Sequence, residues 1–479
     1  MGTSPRVRPL RRQTGQVLLA VVLASCTEPA EITVGSQIGA LHFSHAQPRN
    51  LIVIGIDTLR RDAVGRYIGT SPAASRAAGL DVLAGCGGPT TMTPFLDGLL
   101  REGLTLDNHR ACSNWTNSGL LCFASGRSQL DFGYTPSHAG PIPDHFPLLP
   151  ERLGAAGFTS ALVSNNGFVG SNTTYDRFFD TTHVQTEANA EAVTALALDV
   201  LEPMVGGEAP WFLQIHYVDP HFPYAASNQE TPGSEFLESL PWNLGNTQGW
   251  QQMEAEWEGL SPTLQTEIER EIRALYADEV SYVDAALEHL FDQLLRMDGA
   301  LQETLVLIWS DHGEQFWEHG NTWHGFGLYP EETAAVGSFW TISGADGGPG
   351  LQALTWEGPT TQEDLLPSVL AALGLPEDHA LSGEAIGDAA NPSRVRHSLR
   401  FHESALEGTL QALEQDNWLL HFQWDGTRAL YDLQADRGAT RDLSDDEPEI
   451  ASRLWGLLEP QIMELAALNE VTAPEPTPR

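Results

Sequence analysis

The sequence predicts an α/β fold: a mostly parallel sheet flanked by helices, with a small C-terminal α+β subdomain. Three observations carry this. Apolar runs at 51–56 and 305–309 show no alternation, as expected of strands buried on both faces. Strand-like runs alternate with helical stretches of ten residues or more, the pattern of a layered fold with crossover connections. Each of the two apolar runs ends in polar residues, Asp57 after the first and Asp311-His312 after the second. Ligands collect beyond the carboxyl ends of parallel strands.

Taken in order, the chain opens on a targeting signal. Arg6, Arg8, Arg11 and Arg12 precede a short apolar run at 17–23, too short to span a bilayer comfortably. Leu23-Ala24-Ser25-Cys26 resembles a bacterial lipobox, which implies cleavage before Cys26 and lipid attachment to its sulfur. An ordinary signal peptide with an incidental cysteine is the alternative. Residues 1–26 thus read as a lipoprotein signal peptide and 27–49 as a tether. The expected location is the bacterial envelope, lipid-anchored, on the periplasmic or outer-membrane face. The net charge of −39 and the absence of any Lys argue against a nucleic-acid partner. Three further cysteines, Cys86, Cys112 and Cys122, allow at most one bridge. Cys112–Cys122 and Cys86–Cys112 both stay open.

The main α/β domain is expected over 50–392. Residues 68–89 read as a long loop, and Thr93-Pro94 opens an amphipathic helix. A polar turn from Ala111 leads to a short helix at 120–125, closed by Gly126. Thr116 then lies at or just before a helix N-terminus, where backbone N–H groups favour an anion. Its hydroxyl is either a cap or a nucleophile. A helix at 148–156, a strand at 159–163 and a helix at 187–201 follow. The strand at 211–217 leads into Asp219-Pro220-His221, and a long helix at 261–297 feeds the strand at 305–309. Asp311 and His312 offer a divalent metal two ligands, or else cap and pack a helix. His319 and His324 sit in the glycine-rich loop beyond them. Another apolar run lies at 338–342. Short strands at 418–422 and 429–433 and a helix at 447–468 form the α+β subdomain, 393–471. The Pro-rich tail, 472–479, reads as disordered.

Several of these pieces, in this order, resemble the sulfatase family of the alkaline phosphatase superfamily. They are Ile54-Gly55-Ile56-Asp57-Thr58-Leu59-Arg60, Thr93-Pro94-Phe95-Leu96, Asp219-Pro220-His221, Ser310-Asp311-His312-Gly313-Glu314 and His324-Gly325. Leu430 to Asp436, with Arg441-Asp442-Leu443, resembles the family's C-terminal subdomain. The resemblance implies an alkaline-phosphatase-like domain with a metal at the carboxyl edge of its sheet. It implies Asp57, Asp311 and His312 as metal ligands, with His221 and His324 lining the substrate site. The family's nucleophile precedes a Gly by ten residues, which points here to Thr116 before Gly126.

The chain departs from the family at that point. Sulfatases carry Cys or Ser there, oxidised to formylglycine, followed by Pro and Arg; this chain has Thr116, Ser118 and Leu120. Threonine cannot become formylglycine, because its β-carbon already bears a methyl group. The family's active-site lysines have no counterpart, and Thr58 replaces an acidic ligand. The expected site is one divalent ion (Mn, Zn or Ca) held by Asp57, Thr116, Asp311 and His312. Thr116 attacks the ester, and His324 or His221 protonates the leaving oxygen. Phosphoryl chemistry is favoured over sulfuryl, since a sulfothreonine lacks the aldehyde hydrate that expels sulfate by elimination. The substrate is then a small-molecule, lipid or glycan ester. The alternatives are a phosphotransferase acting on an acceptor alcohol and a non-catalytic lipoprotein that keeps the fold.

Overall fold

The first apolar run forms β1 (Asn50–Ile56), whose seven residues are all buried. A computed structural model describes residues 37–38, 41–43, 47–68, 91–132, 142, 146–224, 235–343, 348–376, 380–387, 391–400, 408–468, 472–474 and 477–478. Cys26, Cys86 and positions 69–89 of the expected loop lie outside them. Among the described residues no helix is long and apolar enough to cross a membrane.

In chain order the next elements are α1 (Pro94–Glu102), β2 (Leu104–Arg110), α2 (Thr116–Ser125), α3 (Leu149–Ala155), β3 (Thr159–Ser164) and β4 (Thr181–Val184). They are followed by α4 (Ala190–Leu201), β5 (Trp211–Tyr217), α5 (Thr247–Glu256), α6 (Pro262–Leu294), β6 (Thr304–Ser310), β7 (Gly337–Trp340), β8 (Leu354–Thr361) and α7 (Leu365–Ala372). Eight strands make one sheet in the order β8-β2-β7-β6-β1-β5-β3-β4. Every neighbouring pair is parallel except those made by β7, which runs antiparallel to both β6 and β2.

Successive side chains of a strand point to opposite faces, and here each face has its own core. Ile52, Ile54 and Ile56 of β1 join Val306 and Ile308 of β6 on one side, against Leu96 of α1, Val193 of α4 and Leu287 of α6. Leu51 and Val53 join Leu305, Leu307 and Trp309 on the other, against Leu120 of α2, Leu149 of α3 and Leu365 of α7. Each such fully buried aliphatic side chain contributes roughly 1.5–3 kcal/mol. This two-sided burial is why the strands read as unbroken apolar runs.

The remaining elements are β9 (Arg396–Arg400), β10 (Leu410–Gln415), β11 (Trp418–Gln423), β12 (Thr427–Asp432) and α8 (Pro448–Leu468). The four strands form an antiparallel meander. One face packs on Leu454, Leu458 and Ile462 of α8. The other gathers Leu419, Ala429 and Tyr431 around Leu328 of the main domain. Thr477–Pro478 adds β13 in parallel to β12, where the sequence predicts a disordered tail.

One boundary differs from expectation in a way that matters for the site. α2 begins four residues earlier than the 120–125 helix, at Thr116 itself. The open choice of bridges resolves as Cys112–Cys122, with Cα atoms 6.7 Å apart. It ties the approach to α2 to the second turn of that helix.

Candidate active site

Register delivers the site. β1 and β6 pair with Ile56 opposite Ser310, so Asp57 and Asp311 leave the sheet at the same level. On the other side of β1, Gly55 lies opposite His216 of β5. His216 in turn lies opposite Ser164, the last residue of β3, two before Asn166. Four adjacent strands therefore bring Asp311, Asp57, His216 and Asn166 to one edge.

α2 presents its first residue to that edge. Thr116 is buried, and its Oγ1 donates a long hydrogen bond to Asp57 Oδ2 at 3.3 Å. Trp115 is the cap residue and makes no side-chain capping bond, so Thr116 is not spent on capping. Asn166 Nδ2 donates a close hydrogen bond to the same Asp57 oxygen. Asp311 Oδ1 accepts from the backbone N–H groups of Thr58 at 3.1 Å and His312 at 2.8 Å. The His312 Nδ1 atom lies 2.9 Å from the Gly313 carbonyl and donates to it, which leaves Nε2 as the lone-pair nitrogen. That Nε2 stands 3.7 Å from both Asp57 Oδ1 and Asp311 Oδ2.

Beyond this group lies a second layer of imidazoles. The His324 ring is centred 4.4 Å from His312, 5.0 Å from His221 and 5.0 Å from Trp115. Its Nδ1 is 3.0 Å from Glu314 Oε1, and Glu314 Oε2 accepts from the Tyr224 hydroxyl at 3.2 Å. His221 is half-buried and is held by the Phe222 carbonyl through Nδ1.

Three scaffolding contacts fix these parts against one another. Gln362, just before α7, accepts from the Cys112 N–H at 3.1 Å and donates to the Ser310 carbonyl at 3.1 Å, joining the approach to α2 to the end of β6. The Leu399 N–H of β9 donates to the Cys112 carbonyl at 2.8 Å, so the C-terminal subdomain braces the same loop. Glu332 accepts from the N–H groups of Gly325 and Gly327, each at 3.0 Å, and from the side-chain amides of Asn114 and Gln315. It thereby ties the loop before Thr116 to the loop carrying His324.

The electrostatics are those of buried acids in want of a counter-charge. Burial pushes Asp57 up, but the neighbouring His216, His221 and His312 imidazoles outweigh it and hold the carboxyl below the usual range. Burial, then the Asp57 charge, pushes Asp311 up. Burial, then the Asp57 and Glu332 charges, holds Glu314 well above the usual carboxylate range despite its Tyr224 bond. The nearby guanidinium of Arg60 is committed to Asp62 and Glu318.

The residues present fit a divalent cation. Asp57, His216 and Asp311 each offer a ligand atom within 4.8 Å of the others. Asp57 Oδ1, Asp311 Oδ2 and His312 Nε2 are buried and make no hydrogen bond. Lone pairs sequestered from water and facing one another are costly unless a cation or donor meets them. Carboxylate and imidazole donors together suit a hard to borderline divalent ion.

The structure thus gathers Asp57, Thr116, Asp311 and His312 in one cluster and sets His324 and His221 beside it. His216, Asn166, Glu314, Gln362 and Glu332 were not singled out as site residues from sequence. The one signal available for His216 was an ionisable residue inside an otherwise uncharged strand.

Comparison with known proteins identifies the family and the fold. The Sulfatase family model matches residues 49–375. A choline-sulfatase of Rhizobium meliloti (strain 1021) is 27% identical over 240 residues, 47% of this chain and 45% of that protein; the match spans less than half the length of the curated relative. The structure of BT4656 in complex with its substrate D-glucosamine-2-N,6-O-disulfate superposes with a TM-score of 0.65 at 15% identity, covering 88% of this chain and 99% of that one. The phosphonate monoester hydrolase SpPMH from Silicibacter pomeroyi gives a TM-score of 0.64 at 18% identity, covering 88% and 95%. With the Sulfatase model matching most of its length, the chain belongs to the sulfatase family, within the alkaline phosphatase superfamily.

Proposed function

We propose that the chain is a metal-dependent ester hydrolase in which Thr116 is the nucleophile, and that its substrates are phosphoesters rather than sulfate esters. One observation carries this reading: the Thr116 hydroxyl stands at the first position of α2, buried against Asp57, inside the cluster that Asp311 and His312 complete.

Asp57, Asp311, His312 and the Thr116 hydroxyl would hold the ion. When bound, a divalent cation supplies positive charge that lowers the hydroxyl's pKa and offsets the negative charge of the ester oxygens. The chain's own groups do the rest. α2 aims its N-terminal N–H groups at the anion. Thr116 gives its hydroxyl proton to solvent as Oγ1 attacks phosphorus, and the bond from phosphorus to the leaving oxygen breaks. His324, its ring plane set by Glu314, gives that oxygen a proton. Water then cleaves the phosphothreonine and releases phosphate, or an alkylphosphate if the substrate is a diester. The methyl group on the threonine β-carbon supports the phosphoryl preference, because no formylglycine can form there.

Family membership and the choline-sulfatase relative favour sulfate esters as the second reading. The resemblance of Leu23-Ala24-Ser25-Cys26 to a lipobox supports an envelope location, where lipid and glycan esters are at hand. The test is a panel of p-nitrophenyl sulfate, p-nitrophenyl phosphate, bis(p-nitrophenyl) phosphate and p-nitrophenyl phenylphosphonate, each with Mn²⁺, Zn²⁺ and Ca²⁺. Turnover of one or more phosphorus esters, with little on sulfate, is expected. Turnover of sulfate alone would overturn the preference, and transfer of the group to added glycerol would make the chain a transferase.

A further inference from the structure

From the placement of His216 we infer that it is a metal ligand of this site, replacing the acidic ligand missing at position 58, and that the site is therefore built for a transition ion such as Zn²⁺ or Mn²⁺ rather than Ca²⁺. The inference rests on the metal-dependent reading above.

The imidazole is fully buried, and neither Nδ1 nor Nε2 has a hydrogen-bond partner. A buried histidine with both nitrogens unsatisfied is a poor packing residue. It lies against the cluster: Nε2 is 3.9 Å from Asp57 Oδ2. Donors that share one ion at about 2.1 Å lie roughly 4 Å apart or less, so this separation and those of 3.7 Å at His312 are compatible with one ion between them.

The neighbouring strand is cut to admit the ring. Position 55, directly opposite on β1, is a glycine, and a Cβ there would stand 2.4 Å from His216 Nδ1. Any larger residue at position 55 would push the ring off its present place beside Asp57. Thr58, which follows Asp57, meets Asp311 through its backbone N–H and brings no charge. The donor set becomes two carboxylates (Asp57, Asp311), two imidazoles (His216, His312) and the Thr116 hydroxyl. Replacing a carboxylate by an imidazole moves preference from Ca²⁺, which takes oxygen ligands, towards Zn²⁺ or Mn²⁺.

The test is made on the full chain. Electron spin-echo envelope modulation of the Mn²⁺-loaded wild type counts coordinated imidazoles without any substitution. Two are expected, and a single one overturns the inference. Calorimetric titration with Zn²⁺, Mn²⁺ and Ca²⁺ supplies the second readout. His216→Ala and Gly55→Ala should each weaken Zn²⁺ binding by roughly tenfold or more, and His216→Asp should regain affinity for Ca²⁺. If Asp311→Asn loses the metal while His216→Ala binds as the wild type does, the inference fails and the metal-dependent reading stands. If the wild type binds no divalent ion, both fail.

Discussion

His324 and Glu314 show what single residues contribute to the account. Their contact at 3.0 Å sets the ring that stands next to His312. If His324 protonates the leaving oxygen, its value depends on the leaving group. His324→Ala should cost on the order of a hundredfold in kcat or more for an alkyl phosphoester, whose alkoxide needs the proton. For p-nitrophenyl esters, whose phenolate leaves unaided, it should cost far less. Equal losses on both would assign His324 to substrate binding instead. At this scale sequence was informative where chemistry sits next to a recognisable end. Asp57, Asp311 and His312 follow apolar runs directly, so their placement could be read. His216 could not be placed, because what brings it to Asp57 is its pairing with Gly55, and strand register is a property of the folded sheet.

α2 carries the proposed nucleophile, and its limits were only half legible. Gly126 adopts φ 64° and closes the helix, as its residue type predicts. The sequence places the start too late because Thr116, Asn117 and Ser118 are poor helix formers. Tertiary packing overrides that propensity. A Cβ at Gly119 would come within 3.0 Å of the Asp311 carbonyl, so the helix lies close against the end of β6. The Cys112–Cys122 bridge closes a loop with a sequence separation of 10 around this first turn. Replacing both cysteines by serine should lower stability by about 2–3 kcal/mol in urea unfolding. It should also lower kcat, since the loop before Thr116 loses a tether. Unchanged stability would contradict this role.

Neighbouring β2 offers a pH signature. Burial, with the nearby Arg396 and Arg61 charges, pushes His109 from its ordinary 6.5 down to about 3. The folded chain keeps the ring neutral, while the unfolded chain takes up a proton near 6.5. Stability from this group is complete above pH 6.5 and is lost as pH falls from 6.5 towards 3. Between pH 7 and pH 5 the loss is about 2 kcal/mol. His109→Gln should flatten the urea-stability profile by that amount, and parallel profiles would contradict it. The antiparallel run of β7 was not foreseen. Its four residues are buried on both faces like those of its parallel neighbours, so nothing in the pattern marks direction.

At the scale of the whole molecule, the α/β class and the small C-terminal subdomain were legible because burial on both sheet faces writes itself as apolar runs. The subdomain's work was not. β9 hydrogen-bonds the Cys112 carbonyl, and His319 meets Glu331 at 2.5 Å and the Ala439 carbonyl at 3.1 Å, bridging main domain and subdomain. The bonds to the Cys112 and Ala439 carbonyls join residues far apart in the chain, and no local pattern announces them. The fold and the family are those of a sulfatase, while the residue at the head of α2 cannot follow the formylglycine route. The central claim is therefore that Thr116 itself carries the transferred group. The measurement is an acid quench of the metal-loaded protein during turnover of its best phosphoester, with the modified peptide mapped by mass spectrometry. Phosphorylation of Thr116, absent in Thr116→Ala together with turnover, is the predicted result. Full turnover by Thr116→Ala, or a phosphoryl group trapped on any other residue, would contradict the account.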